Sequence, residues 1–296
     1  MQPGTPDTGR RNFFGLAALA SSTAVARPAS RIDFDDPGQK LDAFIKTEGD
    51  ISGAEHVVYG QATIFALIPG QAGRPLLKSE LFAIRRYLPT EGGWVRLHRE
   101  AGVYRDLDNN EILKRWYNPY LRRKVEIIDL AQEFNRKYLV SEMGKSWNVN
   151  VMVHHDDVFF QRNFFISRNS SIPPKEYPLH SSGPHYDLAE YHNYFTRRSA
   201  LEDESISSAP AFGVTNSVAS WLPWMEMGNR SGYLIHQSRF KKLRGVSDMP
   251  RDFVEHIAAR HPSHLSAPAE FREIDVNTTG WDFYRRVIDE RRKNRN

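Results

Sequence analysis

Side chains that could bind an anion and move a proton occur at alternate positions of one strand-like segment. Trp94, Arg96, His98 and Glu100 share one face of this segment, because successive residues of a strand point to opposite sides. The ordinary pKa of histidine, about 6.5, suits acid–base catalysis, and a guanidinium group binds anions. If this face lines an interior, Arg96 would clamp an anion and His98 would act as the base. The alternative is a solvent-exposed face, which arginine and glutamate usually prefer.

A second segment combines aromatic rings with a titratable group. Its pattern predicts His192 as the other candidate base, Tyr191 as a proton donor and Tyr194 as a substrate contact. Trp221 and Trp224 flank a Leu-Pro pair, which favours a turn that presents both rings to a bound substrate. Ring stacking there would contribute about 0.5–1.5 kcal/mol. The alternative for these rings is filling of the protein core.

Polar and aromatic residues also surround one predicted hairpin turn. Paired across it, Asp106 and Arg115 would form a buried ion pair that orients Tyr104 as the catalytic acid, and Arg115 would be the second candidate anion clamp. Tyr117 and Asn118 are predicted to contact the substrate. The alternative is an exposed salt bridge between Asp106 and Arg115, worth less than about 1 kcal/mol.

Histidines and acidic residues cluster at residues 154–157 and again at His180, His185, Asp187 and His192. In the first cluster the two adjacent histidines would point to opposite faces of a strand. In the second, the spacings follow no standard zinc pattern. We therefore predict no metal ligands, and a metal-dependent enzyme that uses the clustered histidines remains an alternative.

Composition excludes several classes of function. None of the 296 residues is cysteine, which rules out disulfides, thiol catalysis and cysteine-bound iron–sulfur clusters. The sequence has no glycine-rich dinucleotide motif, no Walker loop, no HExxH and no GxSxG, so we expect no cofactor and no serine nucleophile. The net charge of +4 comes in part from a terminal helix that mixes arginine with acidic residues, so we expect no nucleic-acid partner. No apolar run approaches the roughly 20 residues of a membrane span.

The elements that position these side chains are predicted to be mainly strands. Segments with a period of two recur without intervening helices, which favours an antiparallel, closed or nearly closed β-barrel of the lipocalin type, followed by C-terminal helices. The helices are expected at residues 250–260, with Asp248 as the N-cap, and at 281–292. The predicted strands are residues 56–68, 77–88, 94–104, 112–117, 124–130, 149–154, 158–168, 191–197, 214–221 and 233–237.

The N-terminal residues have the layout of an export signal. Arg10 and Arg11 precede a short apolar stretch, and Ala24-Val25-Ala26 provides a cleavage site. We predict a cleavable twin-arginine-type signal over residues 1–26, an extension with a short helix over 27–54, and one barrel domain over 55–296. Such a protein would be periplasmic or secreted. The twin-arginine route carries proteins that are already folded, so a homodimer could be exported by this route.

Two blocks of sequence carry a family resemblance. The first runs through residues 104–107 (YRDL) and 112–120 (ILKRWYNPY), and the second through 220–228 (SWLPWMEMG) and 232–234 (GYL). Together with residues 33–37 (DFDDP), they resemble the bacterial family catalogued as domain of unknown function 1838. The resemblance covers about residues 31–275, and family members often carry twin-arginine signals. It implies neither an activity nor catalytic residues.

One turn departs from the family pattern. Where a typical member has Asn-Pro-x-Thr-Gly, this chain has Asn-Pro-Tyr-Leu-Arg over residues 118–122. Arg122 therefore replaces a glycine, and we expect the geometry of the turn to differ.

The aromatic residues, 12% of the chain, favour a small hydrophobic partner that is aromatic or polycyclic. The leading hypothesis is an exported enzyme of the lyase or isomerase type that uses acid–base chemistry without a cofactor, such as decarboxylation, deformylation, dehydration or isomerisation. A lipocalin-like carrier of a hydrophobic ligand is the alternative. Two or more converging titratable groups in the cavity would favour the enzyme, and an apolar lining would favour the carrier.

Overall fold

The computed structural model describes residues 31–272 and 280–294. The predicted signal at residues 1–26 lies outside them. The helices are α1 (Pro37–Glu48), α2 (Arg198–Glu202), α3 (Arg251–Arg260) and α4 (Gly280–Lys293). The strands are β1 (His56–Leu67), β2 (Arg74–Thr90), β3 (Gly93–Arg105), β4 (Arg115–Asn118), β5 (Arg123–Glu126), β6 (Leu130–Glu133), β7 (Arg136–Leu139), β8 (Asn150–His154), β9 (Asp157–Asn169), β10 (His185–Arg197), β11 (Phe212–Ala219) and β12 (Tyr233–Leu243).

Ten strands form one antiparallel sheet in the order β6-β3-β2-β1-β12-β11-β10-β9-β8, with β7 also paired to β3. The remaining two, β4 and β5, form a separate hairpin. The antiparallel β fold with C-terminal helices is thus as predicted. Within the described residues, however, no ladder joins the β6/β7 edge to the β8 edge, so the sheet is not a closed barrel.

Helix α1 occupies one end of the concave face of the sheet. It begins at Pro37, whose missing N–H is not needed in the first turn, and the Asp36 carboxylate accepts a hydrogen bond from the Gln39 backbone N–H at 2.8 Å. The apolar face of α1 packs Phe44 edge-on against the rings of Tyr138 and Tyr194. Because these rings come from strands near opposite edges of the sheet, α1 is covered from both sides.

The turn around residues 221–227 and helix α4 occupy the other end of the concave face. The Trp224 ring packs 4.8 Å from that of Tyr104 on β3, and the Tyr104 hydroxyl lies 3.0 Å from that of Tyr284 on α4. The concave face therefore has an apolar cluster at each end, and a polar layer lies between the two.

Helix α3 covers the convex face. Phe253 and Ile257 bury their side chains against Phe82 and Ile84 of β2 and neighbouring residues of β3. The predicted N-cap was wrong: the helix begins after Pro250 without a side-chain cap, and Asp248 instead accepts a hydrogen bond from the Arg244 backbone N–H.

The period-two pattern located most strands. The structure differs from the prediction in two places between β4 and β8. The predicted strand at residues 124–130 is interrupted, because β5 ends at Glu126 and β6 begins at Leu130. The four-residue strand β7 was not predicted. Within the described part of the chain, the helices are too short or too polar to cross a membrane.

Candidate active site

The strand register brings side chains from both halves of the sheet onto the concave face. On β3, Arg96, His98 and Glu100 face inward, and His98 pairs in register with Arg85 of β2. On β10, Glu190 and His192 face inward, and His192 pairs in register with Arg162 of β9. Arg96 and His98 are thus buried, so of the two alternatives for this face the structure shows the interior one.

Glu48 at the C-terminal end of α1 lies at the centre of the polar layer. Its Oε1 atom is 3.0 Å from Nη1 of Arg85, and 3.7 Å from nitrogens of both Arg96 and Arg162. Tyr87 and Tyr194 donate hydroxyl hydrogen bonds to the same carboxylate. Burial alone would raise the pKa of Glu48, but the three guanidinium groups outweigh it and hold that pKa well below the ordinary value.

His98 is held in one tautomer. Arg85 Nε donates to His98 Nδ1 at 3.2 Å, and a guanidinium can only donate, so the proton of the neutral ring is on Nε2. Burial, together with Arg96 and Arg85, lowers the pKa of His98 well below its ordinary value. The Nε2 atom lies 3.4 Å from Oε2 of Glu100 and has no hydrogen-bond partner in the described chain. In this geometry the neutral ring of His98 carries an N–H at Nε2 that is available to donate a hydrogen bond.

His192 is oriented by two neighbours on β10 and β11. Its Nε2 atom lies 2.9 Å from Oε2 of Glu190, and its Nδ1 atom lies 3.0 Å from the Thr215 hydroxyl. Burial lowers the pKa of His192 although Glu190 opposes the shift. A neutral His192 that donates to Glu190 therefore accepts the Thr215 proton at Nδ1, as a general base linked to a hydroxyl would.

Two carboxylates on opposite halves of the sheet titrate in opposite directions. Burial, reinforced by the charge of Glu190, raises the pKa of Glu100, although a hydrogen bond from Gln132 opposes the shift. The pKa of Glu190 is lowered, because its hydrogen bond with His192 and the charges of His192 and Arg162 outweigh burial. Glu100 therefore keeps a proton to higher pH than Glu190.

These central side chains line accessible space. Although they point inward between the two apolar clusters, Glu100, Glu190 and His192 keep 17%, 24% and 15% of their side-chain surface exposed. We call the space lined by these three residues, Phe134 and Phe164 the chamber. Phe134 stacks 4.1 Å from His98 and Phe164 stacks 5.6 Å from His192, so each histidine is flanked by a ring.

His236 of β12 also faces this polar layer, next to Ser217 in the register. Its Nε2 atom is buried and has no hydrogen-bond partner among the described residues. Burial lowers the pKa of His236 to about 4, against the opposing charge of Glu190. It is therefore a neutral group near neutral pH.

The structure does not bring all predicted residues to the chamber. Tyr191 is exposed, because adjacent residues of a strand point to opposite faces and His192 points inward. Tyr117 is exposed on β4. Asp106 accepts backbone hydrogen bonds within its own turn, and Arg115 is exposed and lies 3.9 Å from Glu126. The predicted buried pair of Asp106 and Arg115 was therefore wrong, because the partner strand of Arg115 is β5 and not β3.

The other aromatic candidates belong to the two apolar clusters at the ends of the concave face. Tyr194 donates to Glu48 at 2.8 Å. Trp221, Trp224 and Tyr104 belong to the apolar cluster at the α4 end. Asn118 is a positioning residue for that cluster, since it donates to the Met225 carbonyl at 2.7 Å while its own carbonyl accepts two backbone N–H groups.

No group of three or more histidine, aspartate or glutamate residues is placed to hold a metal ion in residues 31–272 and 280–294. The first histidine cluster lies at the β8–β9 turn, where His154 and His155 are exposed. In the second, His180 Nδ1 lies 3.0 Å from the Pro223 carbonyl.

Sequence reasoning missed several residues of the site. Glu190 could have been found, because it alternates with His192 and Tyr194 along β10. Arg85 and Arg162 each lie between two apolar residues on their strand faces, which is a weaker signal. Glu48 has no local signal, since it lies at the end of a helix that was predicted to precede the domain.

A family model described as "Protein of unknown function (DUF1838)" matches residues 53–288. A search of curated proteins finds no match to the chain.

Proposed function

Since the chain belongs to the DUF1838 family, whose description assigns no activity, the function has to be inferred from the chamber, and we propose that the protein is an acid–base enzyme. It would carry out lyase or isomerase chemistry without an organic cofactor on a hydrophobic, aromatic or polycyclic substrate. We further propose that it acts in the periplasm or outside the cell, as the export signal in its sequence predicts.

The observation that carries this proposal is the pair Glu100 and Glu190. When two titratable groups share a site and their surroundings drive their pKa values apart, one can act as the acid and the other can support the base. Here the pKa of Glu100 is raised and that of Glu190 is lowered. Glu100 would donate a proton, while ionised Glu190 would orient His192 and stabilise its protonated form.

The remaining groups fit this division of roles. His192 would take up a substrate proton through the Thr215 hydroxyl, which already lies 3.0 Å from Nδ1. The Nε2 proton of His98 would bind an oxygen atom on which negative charge develops. Phe134 and Phe164 would enclose an aromatic substrate on two sides.

A nearly closed barrel is part of the proposal. Arg162 on β9 donates to the Tyr138 hydroxyl on β7 at 2.5 Å, although these strands lie near opposite edges of the sheet. Arg96 and Arg162 also reach the same Glu48 oxygen from the two halves. Such contacts require strong curvature, which would limit solvent entry to the chamber and strengthen its electrostatic interactions.

A non-catalytic carrier is less favoured. A carrier of a hydrophobic ligand needs an apolar cavity with few polar groups, and it gains nothing from desolvated carboxylates and histidines. The convergence of Glu100, Glu190, His98 and His192 on the chamber is the pattern expected of catalysis.

Substitution at the chamber tests the proposal. With a panel of aromatic and polycyclic hydroxy, carbonyl and carboxylic compounds, turnover should be seen by mass spectrometry without added nucleotide or metal. Glu100→Gln and His192→Asn should each lower kcat by about 100-fold or more, because each removes one proton-transfer group. Tyr191→Phe, next to His192 but on the outer face, is the matched control and should leave kcat unchanged. Wild-type kcat in both chamber variants would contradict the proposal.

The carboxyl groups can also be tested without a substrate. Carbon-13 NMR of glutamate side chains, assigned with Glu100→Gln and Glu190→Gln, should show Glu100 titrating above the ordinary glutamate range and Glu190 below it. Two ordinary titrations would remove the observation on which the acid and base assignments rest.

A further inference from the structure

Positive charge exceeds negative charge beside the chamber. The guanidinium groups of Arg85, Arg96 and Arg162 surround the single carboxylate of Glu48. Arg136 adds to the crowding: burial, with the charges of Arg162 and Arg96, lowers its pKa. Ionised Glu190 interacts with Arg162 and balances part of this charge, but the three guanidinium groups still outnumber the two ionised carboxylates. An anionic group bound beside them would reduce this excess.

Two of these guanidinium groups have hydrogen-bonding capacity left. The side chains of Arg96 and Arg162 are only 3% and 7% exposed. In both, the Nε atom is buried and has no hydrogen-bond partner among the described residues. Arg96 approaches Glu48 no closer than 3.7 Å, which is beyond hydrogen-bond distance.

The same two arginines lie next to the catalytic groups and to aromatic rings. Arg162 is the register partner of His192, and Arg96 is two residues from His98 on the same face. Arg96 lies over the Phe134 ring at 5.1 Å, and Arg162 lies over the Phe164 ring at 6.0 Å. An anionic group bound here would have aromatic walls beside it.

We propose that the chamber takes an aromatic substrate that carries a carboxylate, and that Arg96 and Arg162 bind this carboxylate. The inference rests on the proposed function, because it names the substrate class of the same site. A planar carboxylate matches the donor geometry of guanidinium groups. Its single charge balances part of the excess, whereas ionised Glu190 would repel a dianion more strongly than a monoanion.

Binding of simple probes tests the inference without turnover. Isothermal titration calorimetry of the full chain should show 2-naphthoate binding about tenfold or more tighter than 2-naphthamide, its uncharged isostere, because hydrogen bonds to charged groups are the stronger ones. Inorganic phosphate at equal concentration should not displace 2-naphthoate. Equal affinity for the two probes, no binding of either, or displacement by phosphate would each overturn the inference.

Variants assign the preference to the two arginines. Arg96→Gln and Arg162→Gln should each lose most of the preference for 2-naphthoate, and Arg96→Lys should keep part of it. Arg115→Gln, at an exposed arginine outside the chamber, should keep it all. Circular dichroism identifies any variant that fails to fold. If both glutamine variants fail to fold, the comparison of 2-naphthoate with 2-naphthamide on the wild-type protein tests the inference. Preference retained in folded Arg96→Gln and Arg162→Gln would overturn the assignment.

The two proposals fail in different ways. Glu100→Gln should bind 2-naphthoate as the wild type does even when it cannot turn over a substrate. If the protein prefers 2-naphthoate but turns over none of the compounds, the proposed enzyme activity is contradicted and the carboxylate site is supported. If it turns over neutral compounds and shows no preference for 2-naphthoate, the enzyme activity is supported and the carboxylate site is contradicted.

Discussion

At the residue scale, Arg122 adopts a backbone conformation that glycine adopts freely. Its φ is 53°, in the left-handed region, at the position where a typical family member has glycine. A side chain in this region costs about 1–2 kcal/mol. The Asn118 carbonyl oxygen keeps the turn in place by accepting the backbone N–H groups of Tyr120 and Leu121.

Arg122→Gly should therefore raise the free energy of unfolding by about 0.5–1 kcal/mol, since relief of strain exceeds the added flexibility of the unfolded chain. Equilibrium urea unfolding measures the change. Arg122→Ala is the control, because it removes the same exposed side chain but keeps a Cβ. A glycine variant no more stable than the alanine variant would show that the backbone is not strained there.

The sequence could predict which residues of the site share a face within a single strand. Alternation placed Arg96 and His98 on one face, although the sequence did not show which face was the inner one. The same rule puts Tyr191 on the opposite face from His192, and grouping the two as catalytic residues overlooked it. Alternation could not predict that the curvature of the sheet brings β3 close to β10. It could not predict the position of Glu48 either, because Glu48 lies on a helix and the pattern of the strands carries no information about where that helix packs.

At the element scale, α1 is held in place by a strand. Lys242 of β12 donates from Nζ to three carbonyl oxygens at the end of α1, those of Lys46, Thr47 and Gly49, at 2.9, 3.1 and 2.8 Å. These carbonyls have no partner within the helix, and a cation there also opposes the negative end of the helix dipole. The cap fixes the turn of α1 that carries Glu48.

Lys242→Met should lower the free energy of unfolding by about 1–3 kcal/mol, because it removes one donor from each of three carbonyl groups at the end of α1. It should also weaken turnover by loosening Glu48. Lys241→Met, the exposed neighbour on the outer face, should change neither quantity. Chemical denaturation and kcat measure the two effects, and equal stability of both variants would rule out the cap.

The elements themselves were largely predictable, because a strand that is covered mainly on one face alternates clearly, as β9 does. The short strands β6 and β7 were harder, since four residues carry too little pattern. Whether the sheet closes was not predictable at all: closure depends on pairing between its two edges, and the described chain shows none.

At the scale of the whole molecule, the polar layer sets the response to acid. The pKa of Glu48 is lowered, so its stabilisation is present above the unfolded-state value of about 4.3 and is lost as pH falls through the folded value. Buried His56 affects the stability at higher pH than Glu48 does. Burial, with Arg85 and Lys242, lowers its pKa to about 3, so between about pH 6.5 and 3 the unfolded state binds one more proton. Stability must therefore fall over this range.

His56→Gln should make the pH dependence of stability shallower between pH 6 and 4. Each extra proton bound by the unfolded state contributes about 1.4 kcal/mol per pH unit, so the slope should drop by about that amount even if the absolute stability also changes. Urea unfolding at several pH values measures the slope. His154→Gln, at an exposed histidine of β8, is the control for the same side-chain replacement outside the buried layer. An unchanged slope in His56→Gln would mean that His56 binds its proton equally well in the folded protein, and the acid response would then come from other groups, such as Glu48 and His236.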